Sequence, residues 1–92
     1  MRESEIEKYL VKRTEEAGGL CRKVQWVGRR GAPDRLLILP CWGTGGSVIW
    51  VELKAPGKKP DPHQEREHAR MLALGQCVVV IDSLARVDAL FA

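Results

Sequence analysis

The chain has 92 residues, of which 45% are hydrophobic and 29% are charged, and its formal net charge is +3. This length predicts one domain, residues 1–92, with a single core. No apolar run approaches the ~20 residues that cross a bilayer, which excludes a membrane-spanning protein. The polar amino terminus from Met1 to Glu5 predicts a protein that stays in the cytoplasm. The mild positive charge favours a polyanionic partner without identifying one.

The first half of the chain predicts one helix followed by three strands. Apolar residues recur at helical spacing from Ser4 to Ala17, and Gly18-Gly19 then ends the helix. Leu20–Val27 is typical of a first strand with imperfect alternation. Two short apolar strands, Arg35–Leu39 and Val48–Lys54, flank a glycine-rich connection that is typical of a hairpin.

The second half predicts a helix, a strand and a short closing helix. The segment Ala55–Pro62 contains three prolines and a glycine, so it cannot continue a sheet and is predicted to be a basic loop. Asp61 is predicted to cap a helix that has Pro62 at its first position and stops at Gly75. Cys77–Ile81 predicts a fourth strand buried on both faces, and Leu84–Phe91 a final helix. The order α-β-β-β-α-β-α is that of one mixed α/β unit.

Cysteines and histidines give no sign of a zinc site. Cys21, Cys41 and Cys77 are odd in number, widely spaced and flanked mainly by apolar residues, which predicts buried free thiols. His63 and His68 are five residues apart, so they do not share a helical face as a zinc pair would. Both histidines are therefore predicted to lie at the surface.

Acidic residues stand at the ends of the two strands of the predicted hairpin. Asp34 precedes the second strand and Glu52-Leu53-Lys54 closes the third, so the two strand ends lie side by side. Because side chains alternate, Glu52 and Lys54 share one face, and the Leu53 carbonyl is available as a further oxygen ligand. Carboxylate and carbonyl oxygens are the donors that Mg²⁺ and Mn²⁺ prefer. Asp34 alone is typical of a turn and Glu52 with Lys54 of a solvated strand end, but their coincidence favours a metal site.

A metal held by these oxygens predicts a specific chemistry. It would polarise a phosphodiester, stabilise charge in the transition state and lower the pKa of a bound water. Lys54 would help to position or deprotonate that nucleophile. The expected reaction is phosphodiester hydrolysis that needs Mg²⁺ or Mn²⁺ and no organic cofactor.

Three motifs carry a resemblance to a known family. They are Gly31-Ala32-Pro33-Asp34-Arg35, then Val51-Glu52-Leu53-Lys54-Ala55-Pro56-Gly57, and Gln64 in the following helix. In these motifs the chain resembles the VRR-NUC branch of the PD-(D/E)xK nucleases over nearly its whole length. The resemblance implies a restriction-endonuclease-like α-β-β-β-α-β core with a mixed central sheet. It also implies catalytic roles for Asp34, Glu52 and Lys54, with Gln64 in support.

The resemblance further implies an acidic residue on the first helix that reaches the metal. Glu3 and Glu7 are four residues apart and lie on one side of that helix, so either can serve. Glu7 is preferred, because its distance from Gly18 resembles that in archaeal junction resolvases. The alternative for Glu7 is an exposed carboxylate that pairs with Lys8 or Lys12.

Other polar and aromatic residues are candidates for DNA contacts. The Gln64 amide is expected to reach a phosphate or a metal-bound water, unless it is merely a polar residue of the first helical turn. The three tryptophans can stack on unpaired bases, although core or interface roles are favoured; they are Trp26, Trp42 and Trp50. Trp42, in a loop, is the best candidate for exposure. Basic residues in the segments that flank the acidic site are expected to bind backbone phosphates, unless they only form a solvated face: Arg22, Lys23, Arg29, Arg30, Arg35, Lys58 and Lys59.

Together these features predict a DNA endonuclease, and the resemblance implies that it is structure-selective. The family members it resembles cut junctions, which makes a four-way (Holliday) junction the leading substrate. Two symmetric cuts need two active sites, so a homodimer is expected. The alternatives are a monomeric flap or single-strand nuclease, and a non-catalytic DNA-binding module against which Asp34, Glu52 and Lys54 argue.

Overall fold

The computed structural model describes residues 1–40 and 47–92. Its elements, in chain order, are α1 (Glu3–Glu16), β1 (Leu20–Lys23), β2 (Arg35–Leu39), β3 (Ser47–Leu53), α2 (Pro62–Ala73), β4 (Val78–Ile81) and α3 (Leu84–Leu90). The predicted hairpin connection, with Cys41 and Trp42, falls outside the described residues. Within the described part, no helix is long and apolar enough to cross a membrane.

The four strands form one mixed sheet in the order β1-β2-β3-β4. β1 pairs antiparallel with β2, and β2 with β3, whereas β3 and β4 run parallel because α2 connects them as a crossover. The predicted mixed α/β fold is confirmed. β2 has the predicted bounds, but β1 ends at Lys23 instead of Val27. The chain leaves the sheet there and forms a loop, Val24–Asp34, that contains Gly28 and Gly31 at positive φ.

The core lies on one face of the sheet, beneath α1 and α3. Val51 and Leu53 of β3 point to this face and are buried with Ile6 and Leu10 of α1. Val87 of α3 belongs to the same cluster. Burying each such side chain contributes about 1.5–3 kcal/mol. Residues that alternate with Val51 and Leu53, above all Glu52, point to the opposite face.

Two predictions about the end of the chain are wrong. β4 is not buried on both faces, because it is an edge strand, and only Ile81 of its four residues is fully buried. Cys77 precedes this edge strand and is exposed, so it is not a buried thiol. Cys21 is half-buried, and burial raises the pKa of its thiol.

The start of α2 follows the prediction. Asp61 is the N-cap, Pro62 is the first helical residue, and a capping box joins Asp61 to Gln64. Within this box the Asp61 backbone N–H donates to Oε1 of Gln64 at 2.8 Å. The box fixes where the helix begins, and therefore which side chains α2 turns towards the sheet.

Candidate active site

The loop that carries Asp34 is held on both sides of that residue. Trp26 donates its indole N–H to the Pro33 carbonyl at 2.7 Å, and the Val24 N–H donates to the Asp34 carbonyl at 2.8 Å. These two carbonyls belong to the peptide groups before and after Asp34. The backbone of Asp34 is therefore fixed, while its carboxylate stays half exposed.

The same loop is fastened to α2. Gly31 has a φ of +84° and packs so closely on the first turn of the helix that a Cβ would lie 2.8 Å from the His63 carbonyl oxygen. Arg29 donates to Oε1 of Glu67 from Nη2 at 2.7 Å. Gly31 therefore has a structural reason to be glycine, since any side chain there would strain the backbone and separate the loop from the helix.

Glu52 lies near the end of β3 on the face covered by α2. It is only 8% exposed, and its Oε1 is 3.5 Å from Nε2 of His68. The prediction of a surface histidine at His68 is wrong, because α2 turns this residue towards the sheet. The spacing of Gln64, His68 and Met71 at i, i+4 and i+7 is the signal that could have placed it on the inner stripe.

The electrostatic surroundings of Glu52 suit a cation. Burial raises the pKa of this carboxyl to about 7; Lys54 opposes the shift, and the negative charges of Asp34, Glu3 and Asp61 reinforce it. Nε2 of His68 is buried beside the carboxylate and has no hydrogen-bond partner among the described residues. A buried carboxylate next to other acidic groups is stabilised by a bound cation.

The donor set fits a hard divalent cation that keeps part of its water. Among residues 1–40 and 47–92, no three His, Cys, Asp or Glu side chains gather at metal-binding distances. Mg²⁺ and Mn²⁺ often bind through one or two carboxylates and fill the other positions with water and substrate oxygens. Asp34 and Glu52 fit that requirement.

The two acidic candidates on α1 differ in their surroundings. Oε2 of Glu7 accepts a hydrogen bond from Nη2 of Arg35 at 2.7 Å. Arg35 is opposite Val51 in the sheet, so its side chain lies on the core face, away from the face of Glu52. Glu3, in contrast, contributes to the electrostatic field at Glu52. Glu7 thus pairs with Arg35, whose Nη1 also lies 3.3 Å from Oδ1 of Asp34, and not with Lys8 or Lys12. Glu3 adds negative charge at Glu52, so both residues stay candidates for the acidic residue of α1.

Comparison with known proteins identifies the family. No protein-family model matches the chain. "Putative nuclease p44" of Acyrthosiphon pisum secondary endosymbiont phage 1 is 53% identical over 83 residues, which cover 90% of this chain and 85% of that protein. A solved structure described as "VRR_NUC domain" superposes with a TM-score of 0.85 at 46% identity, covering 97% of this chain and 92% of the other. The chain belongs to the VRR-NUC nuclease family. The resemblance seen in the sequence is thereby confirmed.

Two further predicted residues of this VRR-NUC nuclease have defined positions. Lys54 follows β3 directly, is half-buried, and its backbone N–H donates to the Ile81 carbonyl at 2.9 Å. That bond holds the end of β3 against β4. Gln64 uses its Oε1 in the capping box with Asp61, which leaves its amide NH₂ as the group able to donate to a phosphate.

The basic residues of the VRR-NUC chain fall into two groups. Arg35 is buried, and its Nη1 lies 3.3 Å from Oδ1 of Asp34, so it acts inside the protein and not on its surface. Arg29 is exposed but is paired with Glu67. The other predicted phosphate-binding residues are exposed: Arg22, Lys23, Arg30, Lys58 and Lys59. These five side chains are accessible to solvent, as the prediction of phosphate contacts requires.

Proposed function

We propose that this VRR-NUC nuclease is a divalent-metal-dependent endonuclease that hydrolyses phosphodiester bonds in branched DNA. The observation that carries the proposal is the buried Glu52, whose pKa is raised to about 7 beside Asp34 and Lys54. A structural role would not require a buried carboxylate among other acidic groups, whereas a cation site does. The phage origin of the 53% identical relative supports a bacterial cytoplasm as the place of action.

Each site residue has a chemical task under this proposal. Asp34 and Glu52 would hold the cation, with the Leu53 carbonyl and Glu3 or Glu7 as further candidate oxygen donors. Bound Mg²⁺ or Mn²⁺ would supply positive charge that stabilises the charge developing on the scissile phosphate. The Lys54 ammonium orients the attacking water, and the Gln64 amide donates to a phosphate oxygen. The backbone bonds around Asp34 keep its carboxylate in place before substrate arrives.

The experiment is cleavage of labelled four-way junctions, flaps, blunt duplexes and single strands with Mg²⁺ or Mn²⁺. We expect cutting that needs the metal and that falls by about 100-fold or more in Asp34→Asn and Lys54→Met. Glu5→Gln and Lys12→Met are matched controls, because both residues are exposed on α1. If no DNA is cut at any metal concentration while duplex binding persists, the chain is a non-catalytic DNA-binding module.

Junction resolution additionally needs two sites, and the sheet offers a surface for pairing. Leu20, Ile38 and Val48 are in register across β1, β2 and β3, and are 47%, 40% and 46% exposed. They lie at the end of the sheet opposite Asp34 and Glu52. A second copy packed on this apolar row would leave both active sites open to DNA, as a two-fold homodimer requires.

The homodimer is tested by sedimentation of Ile38→Lys beside Val27→Lys. Val27 is an isolated apolar side chain, 95% exposed, so its substitution serves as the control. We expect Ile38→Lys alone to yield monomers and to abolish paired cuts in a junction. A wild-type monomer that cuts flaps or single strands with equal rates in both variants would instead establish the monomeric flap or single-strand nuclease.

A further inference from the structure

A groove with a volume of about 610 Å³ opens directly beside Asp34. Its walls come from the end of β1 and from the loop that leads to β2. The side chains that define its chemistry are Lys23, Gln25, Trp26 and Arg29, and Asp34 is part of the lining. The groove therefore borders the proposed cleavage site.

The size of the groove matches that of one nucleotide. Cavities of ~300–1,000 Å³ hold small organic molecules, which is the size class of one nucleotide. A base inside a duplex stays stacked and paired, and it must be unpaired or extruded before it can enter such a cavity. The groove is therefore large enough to hold one nucleotide that has left the stack.

Trp26 gives the groove a fixed aromatic wall. Its indole N–H is bonded to the Pro33 carbonyl at 2.7 Å, and its ring packs on Trp50 with centroids 5.2 Å apart. A ring held by two contacts loses little further freedom when a base stacks on it. Stacking on an aromatic side chain tolerates every base, since each base has a π-face.

The charge of the groove suits the sugar-phosphate backbone. Lys23 is exposed at the end of β1. Arg29 is oriented by Glu67, which also accepts a hydrogen bond from Arg70. Because the single Glu67 carboxylate pairs with both Arg29 and Arg70, this side of the groove keeps a net positive charge. Gln25 adds an exposed amide that can donate to a phosphate or a base edge.

We propose that this groove binds an unpaired nucleotide next to the scissile phosphate, with its base on Trp26 and its phosphate at Lys23. The inference rests on the proposed function, because it takes Asp34 as part of the cleavage site. Such binding would let the chain recognise the boundary between paired and unpaired DNA. The substrate class is then DNA in which at least one nucleotide leaves the stack at the branch.

The test measures binding apart from cleavage. In full-length Asp34→Asn protein, fluorescence anisotropy gives the affinity for a short oligothymidylate and for a short blunt duplex over a range of salt concentrations. Lys23→Gln should reduce the slope of log K against log[salt] for the oligothymidylate by about 0.7. Lys12→Gln, on exposed α1, should leave that slope unchanged. Trp26→Phe should weaken oligothymidylate binding by about 5-fold and duplex binding by less than about 2-fold.

Several outcomes would overturn the assignment. The first is a salt-dependence slope in Lys23→Gln that equals the slope in Lys12→Gln. The second is a protein that does not bind oligothymidylate, and the third is a Trp26→Phe variant whose affinity falls equally for single strand and duplex. Lys23 is exposed, so its variant decides the question even if Trp26→Phe unfolds. Cleavage by the wild-type chain is recorded in parallel. If the protein shows the expected binding pattern but does not cleave DNA, the groove is supported and the proposed cleavage activity is wrong. If it cleaves DNA but lacks the binding pattern, the cleavage activity is supported and the groove assignment is wrong.

Discussion

Two buried glutamates, Glu52 on β3 and Glu67 on α2, have opposite electrostatic surroundings. Glu52 and Glu67 are 8% and 7% exposed. Hydrogen bonds from Arg29 and Arg70 lower the pKa of Glu67 to about 2, whereas burial raises the pKa of Glu52 to about 7. Glu67 is stabilised as an anion by its own protein, and Glu52 is not. Burial alone therefore does not identify a functional carboxylate. The deciding feature is whether neighbouring positive side chains balance its charge.

The largest effect should come from neutralising Glu52, the buried glutamate whose charge no arginine among the described residues balances. Glu52→Gln keeps the shape but removes the charge that would hold a cation, so cleavage should fall by about 100-fold or more. The same change should stabilise the metal-free protein by about 2 kcal/mol above pH ~7, after allowance for solvent screening. Cleavage assays and urea unfolding in EDTA measure the two effects. Loss of both activity and stability would mean that Glu52 supports the fold.

The gain in stability has a defined pH dependence. Between pH 4.5 and about 7, Glu52 holds a proton in the folded chain and releases it in the unfolded chain. Stability of the wild type should therefore fall as pH rises across that window, and the fall should be absent in Glu52→Gln. Below pH 4.5 the two proteins should have similar dependence on pH. Parallel curves over the whole range would contradict the unpaired state of Glu52.

For Glu67, whose charge two arginines balance, we expect a smaller effect on cleavage and an effect of opposite sign on stability. Glu67→Gln should destabilise the chain at neutral pH, since two guanidinium groups lose their shared partner. Because the folded pKa is lowered to about 2, stability from Glu67 is present above pH 4.5 and is lost as pH falls towards 2. Cleavage should drop by about 10-fold, because the Asp34 loop loses an anchor. Glu65→Gln, exposed on the same helix, is the control, and an equal effect there would refute the anchor.

The smallest effects should separate two neighbouring arginines. Arg29→Gln removes a partner of Glu67, so it should lower both thermal stability and DNA affinity. Arg30→Gln changes an exposed side chain and should lower duplex affinity alone, reducing the salt slope by about 0.9 if it contacts one phosphate. Thermal unfolding and anisotropy distinguish them. Equal loss of stability in both variants would show that the Glu67 pairing contributes nothing measurable.

Local chemistry made much of the fold predictable. The Asp61-Pro62 start of α2 depends on capping within a few residues, and β2 is delimited by Pro33-Asp34 and Pro40. Strand alternation also separated Glu52 from Leu53 without tertiary information. The family was identified from the motifs around Asp34 and Glu52, together with Gln64. Asp34, Glu52 and Lys54 remain predictions as catalytic residues, but the electrostatics of Glu52 support them.

The sequence does not determine which side chains of a helix or strand face the rest of the protein. His68 was expected at the surface because its helical face was known only relative to His63, and not relative to the sheet. Likewise Glu7 and Arg35 are separated by 27 intervening residues, and only the register of β2 against β3 places Arg35 beneath α1. The edge position of β4 depends on strand order. Each of these facts is tertiary, so composition and periodicity do not determine it.

The attachment of α2 has a consequence for motions of the chain. One helix covers Glu52 with His68 and anchors the Asp34 loop through Glu67 and the packing of Gly31. An excursion that lifts α2 from the sheet uncovers Glu52 and removes one anchor of the Asp34 loop at the same time. Segments that detach as a unit exchange their amide hydrogens with a common opening free energy. The two halves of the candidate site are therefore expected to open and close in concert, so partly assembled sites should be scarce in solution.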